Sequence, residues 1–202
     1  GHVEDMSERA KATLTCVNAI LCEDTRVSSK MLARYEIRKT LISFHQHSEL
    51  AKTNEILDRL KAGESLALIT DAGTPSISDP GGMLVESVVK ELPEVTIVPI
   101  PGASAIITAL SVSAFPADKF VFLGFPPQKK GRNKYFKALA EQVHTVVIYE
   151  STHRIFKTLE ALEEVLGERQ IMVARELTKM HETLYRGTTA HVTQLLKSTS
   201  IK

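Results

Sequence analysis

Short apolar stretches alternate with segments of helical periodicity along almost the whole chain. Several of the apolar stretches are continuous runs of valine, isoleucine and leucine, which are typical of strands buried on both faces of a sheet. Regular strand–helix alternation predicts an α/β fold with a largely parallel sheet. The predicted strands are Ala19–Cys22, Leu41–His45, Ser65–Thr70, Val95–Ile100, Phe120–Phe125, Thr145–Glu150 and Gln170–Arg175.

Two of the intervening helices carry start or stop signals. Ser48 can cap a helix whose apolar positions include Ile56 and Leu57, and Gly63 is placed to end it. Apolar residues recur at intervals of four, three and four from Ile155 to Leu166, just before Gly167. This spacing predicts a helix with one apolar stripe that faces a sheet.

The segment 126–134, "PPQKKGRNK", is polar and basic and begins with two prolines. It is interpreted as a linker or flap between two α/β lobes, residues 1–125 and 126–202, with an ordinary surface loop as the alternative. It brings four cations within six residues, which is typical either of a phosphate-binding patch or of a solvated surface.

Composition narrows the class of protein. The 202 residues are 43% hydrophobic and 24% charged, which is typical of a globular protein. The net charge is only +1, so the overall charge does not by itself indicate a nucleic-acid partner. No apolar run approaches the roughly 20 residues of a membrane span. Two cysteines make neither a disulfide framework nor a zinc site, so we expect a cytoplasmic protein without a bound metal. Strand alternation would point the side chains of His45 and His47 to the same face, but no carboxylate or cysteine cluster completes a metal shell.

The stretch "LITDAGTPSISDPGG" at 68–82 is the main candidate for binding chemistry. It follows a predicted strand, and ligands of α/β folds bind outside the carboxyl ends of strands. Both the Walker pattern and G-x-G-x-x-G are absent, and residues 62–89 contain no lysine or arginine, which disfavours a polyphosphate. Asp71 and Asp79 instead favour a cationic ligand such as the sulfonium of S-adenosylmethionine. The alternative is a tight structural turn with solvated aspartates.

Seven ordered blocks resemble the ribosomal RNA small-subunit methyltransferase I family, in the tetrapyrrole-methylase-like class of S-adenosylmethionine enzymes. The central block is "TDAGTPSISDPG" at 70–81. The others are "EDTR" at 23–26, "SFHQHSE" at 43–49, "PGASAIITAL" at 101–110, "GFPPQKKGR" at 124–132, "YESTHR" at 149–154 and "ARELTKMHE" at 174–182. The family's first strand is expected before Gly1 and its closing strand after Lys202, so the sequence is expected to lack both.

The resemblance implies two α/β lobes that hold S-adenosylmethionine in the cleft between them. The implied donor-binding positions lie in the loop after the third strand, at the start of a helix near residue 104, and at two strand ends of the second lobe. They are Asp71, Ala72, Gly73, Thr74, Pro75, Ile77, Ser104, Ala105, Glu150 and Leu177.

The resemblance also implies an activity, the 2′-O-methylation of a cytidine in 16S ribosomal RNA of the small subunit, by a protein that forms a homodimer. A ribose hydroxyl is a weak acid, so a base or a cation that favours the alkoxide would help. Glu176 and Lys179 are the candidates for this role, and Arg175 binds phosphate or holds Glu176. The candidate RNA-binding residues are Arg26, Lys30, Lys129, Lys130, Arg132 and Lys134.

Two alternatives remain open at this point. A methyltransferase of the same fold could act on a tetrapyrrole or a protein side chain, because function lies in the site rather than in the fold. A non-catalytic RNA-binding or assembly module would bind RNA without binding the methyl donor.

Overall fold

The structure is a computed structural model that describes residues 2–45, 50–71, 73–79 and 81–199. The chain divides into two compact units, Gly1–Ser104 and Ala105–Lys202. This division falls earlier than the predicted boundary between residues 125 and 126. The basic segment 126–134 therefore lies inside the second unit.

The first unit is built on a three-stranded parallel sheet with strand order β2-β1-β3. Its strands are β1 (Ala19–Cys22), β2 (Thr40–Ser43) and β3 (Leu66–Leu68). Its helices are α1 (Glu8–Cys16), α2 (Thr25–Ala33), α3 (Leu50–Lys61) and α4 (Gly81–Glu91), preceded by a short 3-10 helix, Val3–Asp5.

The central strand β1 is buried on both faces, as its continuous apolar run predicts. Ala19 and Leu21 pack into one core with Ile56 and Leu57 of α3. Ile20, which points to the other face, packs with the helices α1 and α2 in a second core. Strand β1 therefore anchors both layers, and its carboxyl end is held in place from both sides.

The prediction of a strand at Val95–Ile100 is wrong, because residues 96–100 form no strand. Pro99 has no N–H to donate to a sheet ladder. Its carbonyl accepts a hydrogen bond from Arg9 Nη2 at 2.8 Å instead. A side chain of the first unit thus takes up a backbone carbonyl that a strand would have used.

The second unit contains a parallel pair of strands and an antiparallel hairpin. The strands β4 (Phe120–Phe122) and β5 (Thr145–Val147) form the parallel pair, and β6 (Gln170–Arg175) pairs with β7 (Thr183–Thr188) in the hairpin. The helices are α5 (Ala105–Ser111), α6 (Arg132–Ala140), α7 (Ile155–Leu166) and α8 (Thr189–Ser198).

The second unit has two cores. Leu159, Tyr185 and Val192 join α7 and α8 to the hairpin, and Phe136 and Leu162 join α6 to α7. Strand β7 was missed in the sequence, where "TLYRGT" is short and carries a glycine. The sheets are therefore less uniformly parallel than expected.

Several sequence predictions agree with the structure. The α/β fold with parallel sheets is confirmed, as are the bounds of β1, β6 and α7. Helix α3 ends at Lys61, and Gly63 follows with a left-handed φ of 85°. Ser48, its predicted cap, and His47 lie outside the described residues. Strands β2, β3, β4 and β5 are shorter than predicted.

No helix within the described ranges has the length and apolar character that crossing a membrane requires.

Candidate active site

The loop after β3 is held by one carboxylate. Asp79 Oδ1 accepts hydrogen bonds from the backbone N–H groups of Ser76, at 2.8 Å, and Gly81, at 2.7 Å. Gly81 is the first residue of α4, so Asp79 ties the loop to the start of that helix. Ser76 and Ser78 have left-handed φ angles of 74° and 60°. Non-glycine residues in this region are held there by their surroundings, and such residues cluster at functional sites.

Gly81 is required by packing rather than by backbone conformation. A Cβ atom at this position would lie 2.8 Å from Leu68 Cδ2, 2.9 Å from Asp79 Oδ1 and 3.1 Å from the backbone nitrogen of Ser76. The leucine methyl could rotate away, but the other two atoms belong to the hydrogen-bonded loop. The loop therefore lies against the strand and the helix with no room for a side chain.

We expect Gly81→Ala to lower the free energy of unfolding by about 1–3 kcal/mol, the usual cost of overpacking a filled position. Gly82→Ala is the matched control in the same helical turn, because its Cβ would meet nothing nearer than 3.9 Å. The control should be neutral or stabilising by up to about 1 kcal/mol. Urea denaturation of both variants measures the difference. If the two variants had equal free energies of unfolding, the loop would be able to move aside for a Cβ atom at position 81 without cost.

Acidic side chains meet at the carboxyl ends of β1 and β3. Glu23 Oε1 accepts hydrogen bonds from the Thr70 hydroxyl and, at 3.3 Å, from the backbone N–H of Asp71. Partial desolvation of its carboxyl, together with the charges of Glu23 and Asp24, raises the pKa of the largely exposed Asp71. The hydrogen bonds from Arg26 instead lower the pKa of Asp24. This edge of the sheet thus concentrates negative charge.

The described part of the loop is open to a ligand. Gly73 has a φ of 82°, and no described atom lies within 4 Å of where its Cβ would be. Thr74 is exposed, Pro75 is half-buried, and Ile77 is 48% exposed. Ala72 lies outside the described residues. A ligand could therefore contact bare backbone and an apolar side chain beside the acidic edge.

Ser104 and Ala105 lie at the start of α5, as predicted. They are the last residue of the first unit and the first residue of the second.

The predicted RNA-binding residues on α2 are both exposed. Arg26 is ion-paired with Asp24, at 2.7 Å from Nη2 to Oδ2, yet its side chain remains 87% exposed. Lys30 is exposed one helical turn further on. The pair therefore presents two cations to solvent from the same helix.

Of the four basic residues in the segment 126–134, one differs from the others. Lys129, Lys130 and Lys134 are exposed. Arg132 is half-buried, and its guanidinium donates to Thr158 Oγ1 at 2.9 Å and to the carbonyl of Pro127 at 3.1 Å. These bonds make Arg132 a support of the loop and leave its guanidinium less available to RNA than the three lysines.

Glu150 is at the centre of the same network. Its side chain is 4% exposed and forms an ion pair with Arg154 at 2.7 Å. It also accepts hydrogen bonds from Thr158 Oγ1 at 2.6 Å and from the backbone N–H of Ser151 at 2.7 Å. The carboxylate is therefore occupied by contacts within the second unit.

Sequence reasoning missed Arg154 and Thr158. The spacing of four residues between Glu150 and Arg154 was a usable signal for an ion pair. Nothing in the sequence indicated that Thr158 joins Arg132 to Glu150, because these partners lie 26 and eight residues before it in the chain.

The predicted catalytic residues lie at the turn of the β6–β7 hairpin. Glu176 has a left-handed φ of 52°, and its carbonyl accepts a hydrogen bond from the backbone N–H of Lys179 at 2.9 Å. Thr178 also has a left-handed φ, of 62°, and its N–H donates to a Glu182 carboxylate oxygen. Lys179 is exposed, whereas Arg175, Glu176 and Leu177 are half-buried. The turn is therefore closed by several hydrogen bonds and presents the Lys179 side chain to solvent.

Within the described ranges, no three histidine, cysteine, aspartate or glutamate side chains are grouped so that they could hold a metal ion.

Comparison with known proteins assigns the chain to a family. Residues 1–193 match the family of Tetrapyrrole (Corrin/Porphyrin) Methylases. The chain is 43% identical to the ribosomal RNA small subunit methyltransferase I of Thermotoga maritima over 187 residues, which are 93% of this chain and 83% of that protein. It is also 43% identical to the protein of the same name from Bacillus subtilis, over 95% of this chain and 65% of that protein.

Solved structures show the same fold at low sequence identity. A cobalt precorrin-4 methyltransferase superposes with a TM-score of 0.71 at 16% identity, over all of this chain and 87% of that one. A uroporphyrin-III C-methyltransferase from Thermus thermophilus, in complex with S-adenyl homocysteine, superposes with a TM-score of 0.60 at 16% identity, over 95% and 85%. The chain therefore belongs to the tetrapyrrole methylase family and, within it, to the ribosomal RNA small subunit methyltransferase I proteins.

Proposed function

We propose that this chain transfers a methyl group from S-adenosylmethionine to the ribose 2′-hydroxyl of a cytidine in 16S ribosomal RNA. The observation that carries the proposal is the 43% identity to the Thermotoga methyltransferase, which extends over 93% of this chain. The tetrapyrrole methyltransferases resemble the chain at only 16% identity, so they support the fold and not the substrate. A ribosomal RNA substrate is therefore preferred over a tetrapyrrole.

The loop after β3 fits a cationic donor. The donor supplies a methyl group already activated by its positive sulfur. Asp71 and Glu23 place negative charge where such a ligand would be stabilised, and Gly73 leaves the backbone accessible. Ile77 offers an apolar contact. The remaining residues proposed to contact the donor are Ala72, Thr74, Pro75, Ser104, Ala105, Leu177 and the backbone of Glu150.

The hairpin turn of the second unit supplies groups suited to the acceptor hydroxyl. The Lys179 ammonium would favour the alkoxide form of the ribose oxygen, and Glu176 would accept or orient its proton. The left-handed backbone at Glu176 and Thr178 supports this assignment, because a strained turn is maintained only where the fold over-determines it. Arg175 is proposed to hold Glu176 or to bind phosphate.

Exposed cations on both units are suited to RNA phosphates. We propose that Arg26 and Lys30 on α2, and Lys129, Lys130 and Lys134 around the start of α6, bind the RNA backbone. Each lysine or arginine that neutralises a phosphate releases counterions and makes binding salt-dependent. Arg132 is left out of this set because of its internal hydrogen bonds.

The test combines donor binding with methyl transfer. Calorimetry should detect binding of S-adenosylmethionine, and radiolabelled donor should then label isolated small ribosomal subunits at one cytidine ribose. RNA binding without any donor uptake would instead identify a non-catalytic module. Donor uptake with transfer only to a tetrapyrrole or a protein would contradict the ribosomal substrate.

We further propose a homodimer in the cytoplasm. The proposal rests on the resemblance to this family of enzymes.

A further inference from the structure

An exposed aromatic ring lies at the carboxyl edge of the β4–β5 sheet. Phe125 follows β4 by three residues, and the residue is 51% exposed. Tyr149 follows β5 at the same edge. The carboxyl ends of parallel strands are where α/β folds bind their ligands. An apolar ring left half in solvent at this position is a candidate for ligand contact.

The ring packs against neighbouring aromatic side chains. Its centroid lies 5.5 Å from that of Tyr149, which itself packs edge-on against Phe122 at 4.9 Å. The carbonyl of Gly124 accepts a hydrogen bond from the backbone N–H of Tyr149 at 2.9 Å, and Gly124 has a left-handed φ of 63°. The backbone on one side of Phe125 is thereby joined to the neighbouring strand.

The segment after Phe125 is held by two arginines, Arg154 and Arg132, that also contact Glu150 and Thr158, respectively. Arg154 donates to the carbonyl of Pro126 at 3.1 Å, and its guanidinium carbon lies 6.0 Å from the Phe125 ring centroid. Arg132 donates to the carbonyl of Pro127. The segment is therefore already ordered in the folded protein. A ligand would bind without a large further loss of conformational entropy in this segment.

Exposed cations follow the ring directly in the chain. Lys129 and Lys130 lie four and five residues beyond Phe125, and both are exposed. An exposed aromatic ring next to lysines combines a stacking surface for a base with charges for phosphates, the combination by which proteins bind single-stranded nucleic acid. A purely apolar protein partner would not be favoured beside these charges.

We propose that Phe125 stacks on an unpaired base of the substrate RNA, next to phosphates bound by Lys129 and Lys130. This proposal rests on the ribosomal RNA substrate proposed above and adds the contact that orients an unpaired nucleotide. Stacking on an aromatic ring tolerates any base, so Phe125 contributes affinity and geometry rather than sequence readout.

The first test compares Phe125→Leu with Phe120→Leu. Phe120 is 38% exposed at the opposite end of the same strand, so it is a matched control. Phe125→Leu should weaken binding to isolated small ribosomal subunits by at least about fivefold, because one stacked base contributes roughly 1–3 kcal/mol. It should leave the salt dependence of Kd unchanged. Replacing Lys129 and Lys130 with glutamine should lower the salt slope by about 0.7 per lysine.

A second test detects stacking itself. These 202 residues contain no tryptophan, so Phe125→Trp introduces a local fluorophore, with the unsubstituted protein as the blank. Addition of small ribosomal subunits should quench its emission, whereas Phe120→Trp should change little. A Phe125→Trp variant that binds the subunits without quenching would overturn the proposal.

The two proposals fail in different ways. If the unsubstituted protein does not methylate the subunits, the proposed function is wrong. If it does methylate them and Phe125→Leu binds as tightly as Phe120→Leu, the stacking proposal alone is wrong. Circular dichroism and donor binding of each variant establish that it is folded.

Discussion

Replacing Lys179 with alanine is expected to lower the turnover number for methyl transfer by about 10²- to 10⁴-fold, the range for loss of a group that assists proton transfer. The Kd for S-adenosylmethionine should stay the same, because the ammonium is proposed to act on the acceptor hydroxyl. Stability should also be unchanged, since Lys179 is exposed at the hairpin turn and its structural bonds are made by the backbone.

The control for this prediction is Lys197→Ala. Lys197 is exposed on α8 in the same unit. Its replacement by alanine removes the same charge and the same length of side chain as the Lys179 substitution does. Single-turnover measurements with saturating donor separate methyl transfer from product release. If the two variants had equal turnover numbers, Lys179 would take no part in the mechanism. Glu176 would then be the remaining candidate for assisting proton transfer.

Glu150→Ala is expected to lower the free energy of unfolding by about 3 kcal/mol. Breaking a buried ion pair by removing one partner usually costs about 3–5 kcal/mol, because the other charge is left buried and unpaired. The lower end applies because the Arg154 side chain retains 23% exposure, whereas that of Glu150 has 4%. Thr158 and the Ser151 N–H also lose their acceptor.

Urea denaturation measures this loss, and Glu55→Ala provides the comparison. Glu55 also pairs with a basic side chain, Lys52 at 2.8 Å, but its own side chain is 50% exposed. Such a surface pair is worth at most about 1 kcal/mol. If the Glu150 variant were no less stable than the Glu55 variant, the carboxylate would not be structural. Its predicted role at the donor site would then regain support.

The sequence predicted best those elements whose signal is local. Helix α7 has both its predicted bounds, because its apolar stripe and Gly167 lie within one segment. Strand β1 needed only a continuous apolar run between polar residues. Val95–Ile100 carries a similar run and is not a strand; Pro99 has no N–H for a ladder, and its carbonyl accepts from Arg9 of α1. Pairing partners, which decide whether an apolar segment becomes a strand, cannot be read from the segment itself.

The candidate site shows the same limit. Asp71 and Asp79 have the same side chain and were predicted together as charges that favour a cation. In the structure Asp79 accepts two backbone hydrogen bonds that tie the loop to α4. Asp71 is exposed beside Glu23, and its pKa is raised. The fold therefore divides two identical residues into one structural carboxylate and one available to a ligand.

By itself, the sequence determined the α/β class, the position of the candidate loop, the absence of cations from it and the family to which the chain belongs. Each of these depends on residue types and spacing along the chain. Only the tertiary structure decided that Glu150 and Arg132 are internal supports, that Gly81 admits no side chain, and that Phe125 is left exposed. These outcomes depend on burial and on contacts between residues far apart in the chain, because the environment of a charged or aromatic side chain is set by what folds against it.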